Sequence, residues 1–355
     1  MLSIGNIIIP SSCLLAPLAG ISDLPFRLIN RRHGCEFAFT EMISARSLVY
    51  DSRKTLQMLM RTVEDFPLGL QLLGSDPEVL GQAAELVSGM QDIVLIDINA
   101  ACPVHKVVSK GEGSSLMKDP KLLQKIIRGV VENTSLPVTV KIRTGWDDAS
   151  VNALDIALRA RDAGLSALTI HGRTRAQGYQ GSVDYAVISQ VKKSLDIPVI
   201  ASGDALSPPL IKKMFDETGC DGVAIARGAL GNPWIFHETK HYLTTGIIPE
   251  RPSVAELKSV MLRHLDMQCH YYGEARGTIM FRKLFSWYVK SLPNIKKLRE
   301  KAFHAVIKEQ MAALIQEIEG PLMKSATLNA ADYDQTSSKE KRDGKYCRSL
   351  TVKHR

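Results

Sequence analysis

Eight short, apolar, β-rich runs follow one another between residues 11 and 230, most of them separated by amphipathic segments of helical period. Strands that alternate with helices in this way pair in parallel, and eight such units are typical of a closed barrel. The sequence therefore predicts an α/β fold, a (β/α)8 TIM barrel. The predicted strands are 13–20, 37–42, 68–74, 93–100, 138–145, 167–173, 198–204 and 222–228.

An open, doubly wound sheet is the alternative architecture. Such a sheet usually has fewer strands and often a G-x-G-x-x-G turn after the first one, and no such turn follows the first run here. The earlier apolar run Ile7–Ile9 is too short for a signal peptide and lacks a basic segment before it, so we interpret it as a first barrel strand. Segments 76–90 and 119–134 both begin with Asp-Pro, which favours a helix N-terminus.

The composition changes after about residue 240, where strand-like runs give way to helical segments such as 254–273 and 294–320. We therefore predict a barrel over residues 1–243, followed by a small C-terminal helical bundle domain over 244–322. A polar, basic and disordered tail is expected over 323–355.

Positive charge is concentrated in the C-terminal part of the chain. Residues 251–355 contain 20 Lys and Arg against 11 Asp and Glu, whereas residues 1–250 contain 25 against 26. A basic module beside a near-neutral one favours a polyanionic partner, and nucleic acid is the commonest. A basic face that is merely solvated is the alternative.

The sequence also excludes several classes of protein. No apolar stretch approaches the length of a membrane span, so we expect no membrane association. The six cysteines include no C-x-x-C pair, which argues against a disulfide framework and against a structural zinc or other metal site. Cysteine usage of this kind fits the reducing cytoplasm.

The C-terminal ends of the predicted strands are rich in polar residues, which is where a (β/α)8 barrel places its functional groups. Burying such groups without partners costs ~1 to 3 kcal/mol each, so a series of them in register predicts a site. The residues concerned are Gln71, Asn99, Lys141, Arg143, His171, Arg173, Ser202, Asp204 and Arg227.

Two glycine-containing strand ends predict a phosphate site. The tripeptides Ser202-Gly203-Asp204 and Ala226-Arg227-Gly228 follow strands seven and eight, and glycine lets backbone N–H groups approach a phosphate closely. Arg227 is the expected counter-charge. Lys141 would place a cation in the barrel mouth, where it could stabilise a reduced flavin, or it could snorkel from its strand end.

Cys102 is the candidate for a reactive thiol. It follows strand four, between Ala101 and Pro103, with His105 and Lys106 just beyond. A nearby cation is expected to lower a thiol pKa, and a loop position makes the sulfur accessible.

Several strings occurring in this order resemble the tRNA-dihydrouridine synthase family, and its bacterial B-type branch most closely. They are LAPLAGISDLPFR (15–27), CPVHKV (102–107), KIRTGW (141–146), HGRTRAQGY (171–179), SGD (202–204) and ARGALGNPWIF (226–236). The similarity extends from about residue 10 to residue 320.

The resemblance implies an FMN-dependent oxidoreductase that takes electrons from NADPH and reduces uridine in tRNA, with no stable protein partner. Hydride would reach C6 of a flipped uracil, and Cys102 would donate a proton to C5. The residues expected to contact FMN are Pro17, Leu18, Ala19, Gln71, Lys141, His171, Ser202, Gly203, Asp204, Ala226, Arg227 and Gly228.

The tRNA is expected to contact residues of the barrel mouth and of the basic helical domain. These are Asn99, Lys106, Arg143, Arg173, Arg175, Arg276, Arg282 and Lys283. Lys290, Trp287 and Tyr288 are further candidates, although at least one of the two aromatic residues is expected to belong to the core.

The chain departs from the family pattern at Leu18, Ala100-Ala101 and Ser202, where methionine, Met-Gly and asparagine are usual, and in its basic tail. Ala101 lacks the backbone freedom of glycine next to Cys102. Two other functions compete with the one implied: a flavin barrel acting on free pyrimidines, of the dihydroorotate or dihydropyrimidine dehydrogenase kind, and a tRNA-binding chaperone without redox activity.

Overall fold

A computed structural model describes residues 1–320 of the chain, and its centre is a closed barrel of eight parallel strands. Each strand pairs with its neighbours in sequence, and the last strand pairs with the first. The prediction of a (β/α)8 barrel is confirmed, and the open sheet is excluded. The strands are β3 (Cys13–Leu15), β4 (Ala38–Ser44), β5 (Leu68–Leu73), β6 (Ile93–Asn99), β7 (Val138–Arg143), β8 (Ala167–His171), β9 (Val199–Ser202) and β10 (Gly222–Ile225).

A two-stranded hairpin precedes the barrel, and it corrects one prediction. Strand β2 (Ile7–Ile9) pairs antiparallel with β1 (Leu2–Ile4) and is not a barrel strand. Gly5, whose φ is 55°, allows the tight turn between them. The hairpin side chains pack with the inward-facing residues of the barrel, and Gly5 lies against Pro137, just before β7. The hairpin therefore covers the N-terminal end of the barrel and leaves the opposite end open.

Seven of the eight strands end earlier than predicted, and in two of them the backbone gives the reason, because it leaves the extended conformation or loses a donor. Pro17 has no N–H group to continue the ladder after β3. After β9, Gly203 and Asp204 have φ values of 121° and 49°, which no strand residue adopts. Most of the predicted polar residues still lie near the ends of their strands, and three of them, Arg173, Asp204 and Arg227, lie in the segments that follow the strands.

The helices of the barrel form its outer ring. The predicted helices at 76–90 and 119–134 are confirmed, and the side chains of Asp76 and Asp119 accept hydrogen bonds from the first-turn N–H groups. The helices are α1 (Leu24–Arg31), α2 (Ala45–Val49), α3 (Arg53–Met58), α4 (Pro77–Ser88), α5 (His105–Val108), α6 (Pro120–Glu132), α7 (Ala153–Asp162), α8 (Tyr185–Ser194), α9 (Pro208–Thr218) and α10 (Ile235–Thr245).

A helical region follows the barrel. Its helices are α11 (Val254–Tyr272), α12 (Glu274–Tyr288), α13 (Lys296–Ala302) and α14 (Lys308–Gln316). Gly273 separates the first two with a φ of 82°. The predicted helix over 294–320 is interrupted between α13 and α14, where the carbonyl oxygen of Ala305 accepts a hydrogen bond from Arg282 at 2.9 Å.

The predicted domain boundary after residue 243 lies in the last turn of α10, and the connection between α10 and α11 covers residues 246–253. The tail predicted over 323–355 lies outside the described residues. Through residue 320, the chain contains no helix with the length and apolar character needed to cross a membrane.

The helical region packs on the barrel near the loop that follows β3. Gln268 and Tyr272 of α11 both donate hydrogen bonds of 3.0 Å to Asp23, the N-cap of α1. Lys283 of α12 donates to the carbonyl oxygen of Gly20. Because Gly20 lies in the loop that leaves β3, α12 stands beside the open end of the barrel.

Candidate active site

A cavity of about 370 Å³ opens at the C-terminal ends of the barrel strands. A volume of this size is in the range of small-molecule and cofactor sites. Several strands and the loops that follow them contribute to its wall, so the predicted convergence of strand ends is observed. Of the predicted residues, the cavity is lined by Pro17, Leu18, Ala19, Asn99, Cys102, Lys141, Arg143, His171, Ser202, Gly203, Asp204, Ala226 and Arg227.

The thiol of Cys102 is partly buried in this wall, and its pKa is raised by burial. Arg143 and Lys141 oppose that shift without reversing it. The expectation of a lowered thiol pKa is therefore wrong, because desolvation outweighs the cations. His105 and Lys106 are exposed and are not among the causes of the shift. Cys102 is a protonated thiol at neutral pH, which is the form that can act as an acid.

The loop that carries Cys102 is held by buried hydrogen bonds. Oδ1 of Asn99 accepts from the N–H groups of Ala101 and Cys102 at 3.2 and 2.9 Å. Arg143 donates from Nε to the carbonyl oxygen of Ala101 at 2.8 Å. Ala101 does not adopt a positive φ, so the absence of glycine there causes no backbone strain.

Lys141 supplies a buried cation to the cavity. Burial, followed by repulsion from Arg143, lowers its pKa to about 8, while Asp97 and Cys102 favour its charged form. Its ammonium group forms no hydrogen bond or ion pair with any other residue within 1–320. A lysine with no partner in the protein that lines a cavity is available to a ligand.

His171 is neutral. Its pKa lies well below the usual value because the ring is buried and because Arg143, Lys141, Arg173 and Arg227 are close enough to repel a charge. The Nε2 atom is buried and has no hydrogen-bond partner within the described chain. An unpaired buried nitrogen costs free energy unless something else fills the site.

The two predicted phosphate loops are joined by ion pairs. Asp204 accepts from Arg173 at 2.5 Å and from Arg227 at 2.7 Å. Arg227, the expected counter-charge, is thus already paired with a carboxylate of the protein. Two cations share one carboxylate, however, so the loops keep a net positive charge. This charge adds to those of Lys141 and Arg143, and it suits an anion.

Two residues predicted to contact the cofactor do not line the cavity. Gln71 is fully buried beneath it, where it bonds to Asp97 and Asn99. Gly228 packs against the loop after β9, and a Cβ atom there would overlap the carbonyl oxygen of Ala205. Both residues therefore support the wall of the cavity from behind.

Six residues predicted to contact the substrate also lie outside the cavity wall. Arg173 is buried in the ion pair with Asp204, which leaves no exposed face for a substrate. Lys106 is exposed on α5, and Arg175 lies over the ring of Trp146 at 4.4 Å. In α12, Arg276 is exposed and lies over the ring of Tyr272 at 5.0 Å, while Arg282 and Lys283 donate to backbone carbonyl groups.

Of the two aromatic candidates in α12, one belongs to the core, as expected. Tyr288 is buried and its hydroxyl pairs with Nδ1 of His264 at 2.9 Å, so it belongs to the core. Trp287 is half-buried, with the ammonium group of Lys283 at 6.0 Å from the centre of its ring.

Sequence reasoning missed one residue of the cavity wall and one buried residue beneath it. Tyr179 is half exposed and lines the cavity, with the guanidinium groups of Arg227 and Arg143 at 5.0 and 5.8 Å from its ring centre. The sequence signal for Tyr179 is its position at the end of HGRTRAQGY (171–179), one of the strings that resemble the family. Asp97 is fully buried on β6, and an acidic residue inside an apolar strand was the signal there.

Comparison with known proteins identifies the family. The model of the Dihydrouridine synthase (Dus) family matches residues 14–326. The tRNA-dihydrouridine synthase B of Xanthomonas axonopodis pv. citri is 40% identical over 318 residues, which cover 89% of this chain and 95% of that protein. The protein of the same name from Pseudomonas aeruginosa is 41% identical over 299 residues, covering 83% of this chain and 89% of that protein.

Solved structures share the fold at much lower identity. A 6-hydroxypseudooxynicotine amine oxidase from Pseudomonas geniculata superposes with a TM-score of 0.55 at 14% identity, covering 73% of this chain and 52% of that one. Morphinone reductase superposes with a TM-score of 0.50 at 13% identity, covering 71% and 90%. The family match spans nearly the whole barrel and helical region, and this chain belongs to the dihydrouridine synthase family.

Proposed function

We propose that this protein is a tRNA-dihydrouridine synthase, which reduces uridines in tRNA to 5,6-dihydrouridine with FMN as cofactor and NADPH as electron donor. The observation that carries the proposal is that Cys102 and the buried Lys141 line one cavity, where burial raises the pKa of the thiol. The family match and the relatives named tRNA-dihydrouridine synthase B support the same activity.

The cavity fits FMN in its chemistry. His171 presents a buried, unpaired nitrogen. A Cβ atom at Gly203, whose φ is 121°, would lie 2.9 Å from Val183 and 3.4 Å from that nitrogen, so glycine keeps this side of the ring open. We assign the phosphate to the positive loops at 202–204 and 226–228, and the ring to Lys141 and His171. Pro17, Leu18 and Ala19 complete the wall.

FMN held in this cavity and reduced by NADPH would supply a hydride to C6 of the uracil. Cys102 supplies the other hydrogen: its S–H bond breaks, the proton goes to C5, and a thiolate remains. Arg143 and Lys141 both favour that thiolate, because both lower the pKa of Cys102. A thiol that is protonated at rest and flanked by cations therefore suits a single proton transfer.

Asn99 and Arg143 are the residues of the cavity wall that we assign to the uracil, together with Tyr179. Asn99 uses one hydrogen of Nδ2 for Gln71, so the second hydrogen remains for a ligand carbonyl group. The ring of Tyr179 offers a face on which a base can stack. A uridine must leave its stack to reach this depth, and it would be held in place by contacts around the opening.

The helical region is the proposed platform for the rest of the tRNA. It stands beside the open end of the barrel, and residues 251–320 contain 12 Lys and Arg against 7 Asp and Glu. The exposed guanidinium of Arg276 is our first candidate for a phosphate contact. Since mature tRNA is a cytoplasmic substrate, we place the enzyme in the cytoplasm.

The proposal is tested with purified protein, NADPH and unmodified tRNA. We expect protein-bound FMN and dihydrouridine in the tRNA, detected by mass spectrometry of its nucleosides. Turnover of free uracil or orotate at a rate that matches tRNA would instead indicate a pyrimidine dehydrogenase. Flavin-free protein that binds tRNA would indicate a chaperone.

A further inference from the structure

We propose that Asp97 is a positioning residue for Cys102, which it orients through the side-chain amides of Gln71 and Asn99. The inference rests on the proposed function, in which Cys102 donates the proton. It goes further by assigning a role to a buried acid that touches neither the cavity nor the thiol.

Asp97 begins a chain of hydrogen bonds below the cavity floor. Its Oδ1 accepts from the hydroxyl of Thr139 at 2.6 Å, and its Oδ2 accepts from Nε2 of Gln71 at 2.6 Å. Oε1 of Gln71 then accepts from Nδ2 of Asn99 at 2.7 Å. Asn99, Gln71, Asp97 and Thr139 are all buried, with at most 5% of each residue exposed.

The chain has a fixed polarity because an ionised carboxylate can only accept hydrogen bonds. Gln71 must therefore turn its NH₂ group toward Asp97 and its oxygen toward Asn99. Asn99 must in turn present its NH₂ group to Gln71 and its oxygen to the loop. Burial raises the pKa of Asp97 to about 6, with Gln71, Thr139 and Lys141 opposing the shift, so the carboxylate is ionised at neutral pH.

The far end of the chain is the loop of Cys102. With its oxygen facing the loop, Asn99 accepts from the N–H groups of both Ala101 and Cys102. If Asn99 were flipped, its NH₂ group would face two N–H donors, and both bonds would be lost. The orientation of two amides, and with it the loop of the thiol, thus depends on one acid on β6.

The test is the variant Asp97→Asn, in which we measure how fast Cys102 reacts with iodoacetamide. The introduced amide has one oxygen where the carboxylate has two, so it can accept from Thr139 or from Gln71 but not from both. When its oxygen faces Thr139, its NH₂ group faces Gln71 and favours a flip that passes along the chain. We expect alkylation of Cys102 to change by about fivefold or more, which is the effect of one lost hydrogen bond of ordinary strength. Peptide mass spectrometry separates Cys102 from the other cysteines.

A double variant distinguishes positioning from general destabilisation. When Asp97→Asn is combined with Gln71→Glu, the amide and the carboxylate exchange places along the chain. The introduced amide donates to the introduced carboxylate, whose second oxygen accepts from Asn99, so the original polarity returns. We expect the alkylation rate of this variant to return to within about twofold of the parent protein. Thr139→Val is the matched control, because it removes a hydrogen bond to Asp97 without reversing any amide. Its alkylation rate should also stay within about twofold of the parent protein.

Gln71→Met breaks the chain between Asp97 and Asn99 and provides the measurement if Asp97→Asn fails to fold. An unchanged alkylation rate in Gln71→Met, or the same defect in Asp97→Asn with and without Gln71→Glu, would overturn the inference. These outcomes do not depend on turnover of tRNA. The proposed function could therefore fail while the positioning role holds, and the reverse is also possible.

Discussion

Arg143, on β7, donates a hydrogen bond of 2.8 Å from Nε to the carbonyl oxygen of Ala101, the residue before Cys102. Its Nη1 also donates to the carbonyl oxygens of Thr174 and Gly178, in the loop after β8, at 2.9 and 3.0 Å. One side chain thus ties together the loops of two strands and brings a positive charge to the thiol. Arg143 therefore both lowers the pKa of Cys102 and fixes the backbone of the loop that carries it.

The pH dependence of Cys102 is a first prediction. Its thiol pKa is raised by burial, so reaction with iodoacetamide should rise with pH to a midpoint above the ordinary cysteine value of ~8.5. Dihydrouridine formation should run in the opposite direction and fall on the alkaline side, because deprotonation removes the donor and Lys141, with a pKa of about 8, also loses its charge there. A midpoint near 7, measured by alkylation of the parent protein, would contradict this assignment.

The ion pairs of Asp204 give a second prediction, which concerns stability. Asp204→Ala leaves Arg173, whose side chain is 2% exposed, without its carboxylate, and it should lower the free energy of unfolding by about 3 kcal/mol. Asp216→Ala is the matched control, because its pair with Lys212 is exposed and should contribute less than about 1 kcal/mol. Urea denaturation, monitored by circular dichroism, measures the free energy of unfolding of both variants. Equal effects would show that Asp204 is not a structural anchor of the phosphate loops.

A third prediction concerns tRNA binding by the helical region. Arg276→Glu should weaken binding by about fivefold or more at low salt and reduce the salt slope by about one, as for a phosphate contact. Lys193→Glu on α8 makes the same change in charge on the outer ring of the barrel and serves as the control. Fluorescence anisotropy with labelled tRNA measures both variants. An equal loss of tRNA affinity in both variants would mean that binding depends only on the net charge of the protein.

The architecture was predictable because each strand and helix carries its own local signal. The Asp-Pro pairs at 76 and 119 mark helix starts, and the alternation of eight runs gives the parallel barrel. The hairpin was missed although Gly5-Asn6 between two apolar runs is a turn signal. Ile7–Ile9 was assigned by its apolar character alone, which does not distinguish a barrel strand from a strand that closes one end.

The site was predictable in position but not in electrostatics. Strand order places Cys102, Lys141 and Ser202 at one mouth, and the structure brings them to one cavity. The sign of the Cys102 shift depends on burial, which its basic neighbours in sequence do not report. The pairing of Arg173 with Asp204 joins residues 31 positions apart, so no local pattern could reveal it.

The most direct test of the account is the replacement of Cys102 by alanine. The variant should retain bound FMN and NADPH oxidation but form dihydrouridine at least ~100-fold more slowly, the usual contribution of a positioned acid. Cys220→Ala, a buried cysteine outside the cavity, should form dihydrouridine at the parent rate. Nucleoside mass spectrometry of tRNA after reaction with each variant measures the outcome, and full dihydrouridine formation by Cys102→Ala would contradict the central claim.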